Sequence, residues 1–229
     1  MPIAADDVPL VAAQLGTRLD RAFFERATVV AARALLGCVV VSNAPDGLTA
    51  GRIVEAEAYR GADDPASHAA MYRTERVAVM GGEAGVAYVY RSYGVHAMLN
   101  VVAKPPGATG AVLIRALAPL VGIDLMRERR GVERTPLLCS GPGRLCQALG
   151  ITLDLHGTDL VTSDRLWLAA GPLPAAICAG PRIGISRAVE RPWRFWAAGD
   201  PNVSAHRRGA PVQVEYGEAD RAPMSSGSE

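Results

Sequence analysis

Residues 52–61 read R-I-V-E-A-E-A-Y-R-G, and no other stretch restricts the fold as tightly. The alternation predicts a β-strand. Ile53, Glu55, Glu57 and Tyr59 fall on one face, and Arg52, Val54, Ala56 and Ala58 on the other. Two carboxylates at i and i+2 then stand roughly 7 Å apart beside a tyrosine, with Val54 and two alanines packing behind them. An ordinary edge strand with its charges in water would read the same way, so on these residues alone a solvated face and a working site stay open.

The rest of the chain supplies partners for that strand. A helix is expected over 28–36, with Thr28 as its cap and Gly37 as its stop. A strand at 38–42 and a turn at A-P-D-G (44–47) make a hairpin into the acidic stretch. Residues 61–85 look irregular and hold His68, Arg73 and Arg76. Residues 87–103 read as two strands joined at Tyr93-Gly94. An apolar strand interrupted by Arg115 covers 111–117. A helix follows near 122–130, with Ile123, Met126 and Arg127 on its inner side, and a shorter one over 144–149 ends at Gly150. Short strands occupy 151–170, and the last strands are placed at 182–185 and 193–197. The pattern predicts α+β: a single compact domain over 18–206, a mainly antiparallel sheet with surrounding helices. A loose arm precedes it at 1–17, and a disordered tail follows at 207–229.

Composition narrows the function. Net charge is +1, so no global positive field announces a nucleic acid. The four cysteines form no C-x-x-C pair and no Cys/His spacing suited to zinc, which predicts reduced, mostly buried thiols and no metal site. No apolar run is long enough for a bilayer and no signal peptide opens the chain, so a cytoplasmic protein is expected. Without a long apolar seam, a monomer is expected.

Several motifs then line up: A-A-R-A-L-L-G (31–37), the acidic strand (52–61), D-x-x-x-H (64–68), A-Y-V-Y-R-S-Y-G-V-H (87–96), A-V-L-I-R-A-L (111–117) and C-S-G-P-G-R-L-C-Q-A-L-G-I (139–151). In this order, over about residues 20 to 204, the chain resembles the methylpurine (3-methyladenine, alkyladenine-type) DNA glycosylases. The resemblance implies a curved, mainly antiparallel sheet, no cofactor and no metal, and a duplex DNA substrate containing damaged purines. It implies a water-activating role for Glu57, with Arg115 near the target phosphate and water. Tyr59, His68 and Tyr90 match residues that enclose the extruded base, and Asn100 matches a side chain that disfavours guanine's amine. Tyr93 matches the aromatic that enters the gap in the helix. Two segments depart from the family pattern: R-T-E-R-V (73–77), where Glu75 and Val77 replace a usual proline and asparagine, and M-G-G-E-A-G (80–85). Both fall in a loop expected to face DNA with Arg73 and Arg76.

The chemistry suits these residue types. Extruding a base costs a few kcal/mol of unstacking, which an inserted side chain can offset. Tyrosine faces favour cationic alkylated purines by about 0.5–2 kcal/mol, and Tyr59 and Tyr90 are expected on adjacent strands as two walls. A carboxylate can stabilise an oxocarbenium-like sugar and deprotonate water. Glu55 is read as structural, with a distant arginine such as Arg115 pairing one glutamate. Tyr88, His96, His156 and His206 are read as structural. Lys104 is the only lysine, and K-P-P-G is a poor setting for a desolvated amine, so hydrolysis without a lyase step is expected. Two other classes compete: a carbohydrate hydrolase using Glu55 and Glu57 as an acid/base pair, and a nucleic-acid binding module that stacks bases without cutting.

Overall fold

The strand that carries the glutamates is the longest among the described residues, and the sheet is assembled along both of its edges. The computed structural model of the protein describes residues 14–204 and 212–214. Among these, nine strands form one sheet with every pairing antiparallel: β1 (Val39–Ala44), β2 (Gly47–Arg60), β3 (Ala87–Ser92), β4 (His96–Val102), β5 (Gly110–Val121), β6 (Leu166–Ala169), β7 (Ile177–Gly180), β8 (Arg194–Ala197) and β9 (Val212–Val214). The main order is β3-β4-β5-β2-β8-β7-β9. On one edge β2 pairs with β5 along nearly its whole length; on the other it pairs first with β1 and then with β8.

Among the described residues, short helices surround the sheet: α1 (Arg21–Phe24), α2 (Thr28–Ala34), α3 (His68–Met71), α4 (Glu75–Ala78), α5 (Ile123–Arg130) and α6 (Pro142–Leu149). The main core joins Phe24, Leu35, Met126 and Leu145 from the helical layer to Ile53, Leu99, Ile114 and Leu117 of the sheet. Each such side chain contributes roughly 1.5–3 kcal/mol on burial. This layer leaves the opposite sheet face available for the charged strand residues.

Two facing irregularities in β2 and β5 set which side chains reach that face. Ile53 pairs with Leu117, Glu55 with Ala116 and Ala56 with Ile114. Val54 is therefore an extra residue on β2, and Arg115 an extra residue on β5. Bulges re-aim side chains in this way. The simple alternation fails here: Ile53 joins Ala56 and Ala58 in the main core, while Val54 packs with Ala116 and Ala118 in a separate cluster.

Other local expectations are corrected too. Thr28 is the first helical residue rather than the cap, which is Ala27 without a side-chain bond. Thr28 instead packs so closely on Gly110 that a side chain there would run into its hydroxyl. Residues 61–85 contain α3 and α4, capped by the Ser67 and Thr74 side chains. Residues 182–185 are a loop, not a strand; the strand lies earlier, at β7, and Gly184 has φ +77°. Of the expected tail, Val212–Val214 pairs with Ile177–Ala179, and the rest lies outside the described residues, as do residues 1–13 of the expected arm. No helix among the described residues is long and apolar enough to cross a membrane. Cys38, Cys139 and Cys146 are buried free thiols and Cys178 is half-buried.

Candidate active site

One rung of the sheet organises the site. Tyr88 on β3 stands opposite Asn100 on β4, Asn100 opposite Leu113 on β5, Leu113 opposite Glu57 on β2, and Glu57 opposite Arg194 on β8. Directly opposed residues share a face, so five strands contribute to one surface. Two positions further along their strands lie Tyr90, Arg115 and Tyr59, and all three line a cavity of about 930 Å³ on that surface.

The two glutamates are both buried, and Arg115 bridges them: its Nε donates to Glu55 Oε1 at 3.1 Å and its Nη1 to Glu57 Oε2 at 3.2 Å. Burial opposes the Arg115 charge, but the Glu57 and Glu55 carboxylates outweigh it and raise its pKa. The arginine thus settles the repulsion that two neighbouring acids would otherwise suffer. From there the acids differ. Glu55 also accepts from Arg194 Nε at 2.7 Å and from the Ser204 amide and hydroxyl at 2.8 and 2.9 Å. Three of its four bonds fall on Oε1 and one on Oε2, tying it to two buried arginines and to Ser204. Glu57 accepts only three: from Arg115, from the Tyr59 hydroxyl at 2.8 Å and, at Oε1, from the Ile183 amide at 2.7 Å. One acceptor site remains on Oε1.

Glu57 does not face the cavity openly, as the strand pattern suggested. It has no exposed surface, and its three partners Tyr59, Arg115 and Ile183 are themselves cavity-lining residues. The acid lies one layer behind the floor.

The walls are aromatic. The His68 ring sits 4.6 Å from the Tyr90 ring and 5.6 Å from the Tyr72 ring, both edge-on, and its Nδ1 is 2.8 Å from the Tyr88 hydroxyl. Burial lowers the His68 pKa, which favours the neutral ring. Burial first, then the Glu57 charge, raises the phenols of Tyr59 and Tyr90, the latter to about 12. Tyr59 and Tyr90 are not on adjacent strands: β4 and β5 lie between them. His68 and Tyr90 therefore make one side of the cavity and Tyr59 another. Tyr88, read as structural, is buried and holds His68. His156, also read as structural, accepts from the Val89 amide at 3.3 Å. The Asn100 amide donates to the carbonyls of Tyr88 and Met98 at 3.0 and 3.4 Å, so the side chain is a fixed part of the wall.

Tyr93 is at the rim, 96% exposed at the tip of the β3–β4 hairpin. Tyr93 and Gly94 have φ +49° and +70° in the three-residue loop 93–95, where the Val95 amide donates to the Ser92 carbonyl at 3.1 Å. A tyrosine in that region costs about 1–2 kcal/mol relative to glycine. Arg73 and Arg76 are exposed, Arg76 on α4, while Val77 is buried against Met80 and Tyr88. Of the two atypical residues in that segment, Val77 is thus a packing residue, and Glu75 sits in the first turn of α4 behind the Thr74 cap.

Sequence reading missed the groups that hold these residues in place. Arg182 is fully buried and grips Asp64 with two bonds, 2.6 and 2.8 Å, while also donating to the Ala58 carbonyl at 2.9 Å. Its guanidinium lies 4.6 Å over the Tyr59 ring. Burial works against the Asp64 charge, but bonding to Arg182 outweighs it and lowers its pKa. The only available signal was Asp64 in D-x-x-x-H, and nothing marked Arg182 as its partner. Lys104 is buried, contrary to the reading of its loop, but it lies outside the cavity, with its amide donating to the Phe24 carbonyl at 2.9 Å. Among the described residues no cluster of three or more His, Cys, Asp or Glu could hold a metal ion.

An acid behind the floor of an aromatic-walled cavity is the layout of an enzyme that acts on a flat ring. The family model for methylpurine-DNA glycosylase matches residues 22–201. A relative from Nitrosospira multiformis is 49% identical over 182 residues, 79% of this chain and 91% of its own length. One from Methanoculleus marisnigri is 50% identical over 191 residues, 81% of this chain and 98% of its own. Both bear the name "Putative 3-methyladenine DNA glycosylase". The chain belongs to the methylpurine-DNA glycosylase family, the hydrolases that begin base excision repair of damaged DNA.

Proposed function

We propose that the protein is a monofunctional glycosylase that extrudes alkylated or deaminated purines (3-methyladenine, hypoxanthine, ethenoadenine) from duplex DNA and hydrolyses the bond to deoxyribose. The observation that carries this reading is the unequal placement of the two acids. Glu55 is also bound by Arg194 and Ser204, which line no part of the cavity, whereas Glu57 is held only by cavity-lining residues and keeps an acceptor site on Oε1, beside aromatic walls. The purine enters between Tyr59 and the His68–Tyr90 pair, and Tyr93 fills the gap it leaves. Neutral His68 does not repel a cationic base. Asn100, unable to rotate, obstructs an exocyclic amine. A water at the free Oε1 site gives its proton to Glu57 as its oxygen bonds to C1′ of the sugar; the C1′–N bond breaks and its electron pair leaves with the purine. Arg115 holds Glu57 in line and Arg73, Arg76 and Tyr93 engage the duplex.

The product is an abasic site: Lys104, the chain's only lysine, does not line the cavity, which supports hydrolysis without a Schiff base. We place the enzyme in the cytoplasm, on nucleoid DNA, acting as a monomer. Duplex oligonucleotides carrying hypoxanthine or ethenoadenine test the reading. Free base and a strand that breaks only after alkali are expected. A borohydride-trapped protein–DNA adduct would overturn the hydrolytic assignment.

A further inference from the structure

The cavity mouth carries a second strained residue and two uncommitted cations. Among the described residues only two non-glycine residues have positive φ: Tyr93, at +49°, and Ala188, at +50°. Tyr93 ends one side of the mouth. Ala188 directly follows the loop 183–187 that lines the other side and whose Ile183 amide holds Glu57. An exposed arginine adjoins each strained residue: Arg91, two positions before Tyr93, and Arg187, immediately before Ala188, and both line the cavity. Strained backbone gathers where a side chain must be aimed.

Arg91, Arg187, Arg73, Arg76 and Arg134 make no ion pair among the described residues, and of these five only Arg91 and Arg187 line the cavity. Most peripheral arginines are neutralised by carboxylates: Arg18 by Asp164, Arg21 by Asp159, Arg60 by Asp63, Arg129 by Asp46 and Arg165 by Asp154. Among the described residues Arg91 and Arg187 make no ion pair or hydrogen bond. In a chain of net charge +1, paired arginines add little field, so the positive potential is concentrated where arginines stand alone. A free guanidinium on each lip matches the two oxygens of a phosphodiester.

We propose that Arg91 and Arg187 are a pair of phosphate-positioning residues on opposing lips, gripping the backbone on either side of the extruded nucleotide. Arg187 is joined through its loop to the amide that holds Glu57, so its grip also sets the sugar against the acid. This rests on the DNA glycosylase reading above. Binding to a duplex with an uncleavable tetrahydrofuran abasic analogue is measured over a salt series for wild type, Arg91→Ala, Arg187→Ala, Arg187→Lys and the control Arg165→Ala. Each lost contact should lower the slope of log affinity against log salt by about 0.9, so the defect of each alanine variant should shrink about 3-fold to 4-fold between about 50 and about 200 mM salt. Arg187→Lys should restore the slope and Arg165→Ala should leave it unchanged. Wild-type slopes in Arg91→Ala and Arg187→Ala would overturn the proposal. Failure of the wild-type protein to bind the duplex would instead remove the reading on which it rests.

Discussion

Tyr93 and His68 are the residues at which the proposed function and the stability of the fold pull apart. Tyr93 is almost fully solvated and held in the left-handed region, so its conformation costs stability that its own contacts do not return. Asparagine enters that region more readily than tyrosine. Tyr93→Asn should therefore raise folding stability by about 1 kcal/mol, a Tm gain of about 2–4 °C for a chain of this size, while weakening binding to lesion-containing duplex. Differential scanning fluorimetry and a binding titration would check both; an unchanged affinity would remove Tyr93 from the interface. His68 makes the pH prediction. Its pKa lies below the ordinary 6.5, so it contributes equally to both states above that pH. As pH falls below 6.5 the unfolded chain takes the proton first, and stability is lost until the folded value is passed. Protonation also places a cation beside the base site. Excision should fall as the pH is taken below 6.5, and His68→Gln should flatten that acid limb. A limb unchanged in His68→Gln would assign it to another group.

At the scale of the element, β2 and β5 carry the site by being irregular together. The strand, its hairpins and Arg115's place in an apolar run could all be read from local pattern and turn residues. The facing bulges could not, because each exists only through the other strand; without them Glu55 would point into the core with Ile53. The same limit hid Arg182. It is 118 residues from Asp64, and its surroundings read as a plain strand until the Ile183 amide is seen to serve Glu57. Glu55 was legible as structural, and its network shows why: it receives two buried arginines and ties Ser204 to the sheet. Truncating one member of such a network leaves uncompensated buried charge. Glu55→Ala should cost about 3–5 kcal/mol, read as a lowered urea midpoint. A midpoint within error of wild type would show that Arg115 and Arg194 find other partners.

For the whole molecule, the division of labour between the two sheet faces explains why so much of the fold was readable and the depth of the acid was not. The helical face follows from hydrophobic pattern, since Phe24, Leu35, Met126 and Leu145 have no alternative to burial. The other face buries Glu55, Glu57, Arg115, Arg182 and Arg194, residue types that pattern assigns to solvent. Their burial is a product of mutual pairing across β2, β5, β8 and the loop after β7, which only the assembled sheet brings together. An acid built so deeply is expected to act on water delivered to it, not to bind the base. The direct test is single-turnover release of hypoxanthine from duplex DNA by wild type and by Glu57→Gln, with lesion binding measured alongside. Binding should stay within a few-fold while release falls by about 10²–10⁴; equal release by the two proteins would contradict the role of Glu57.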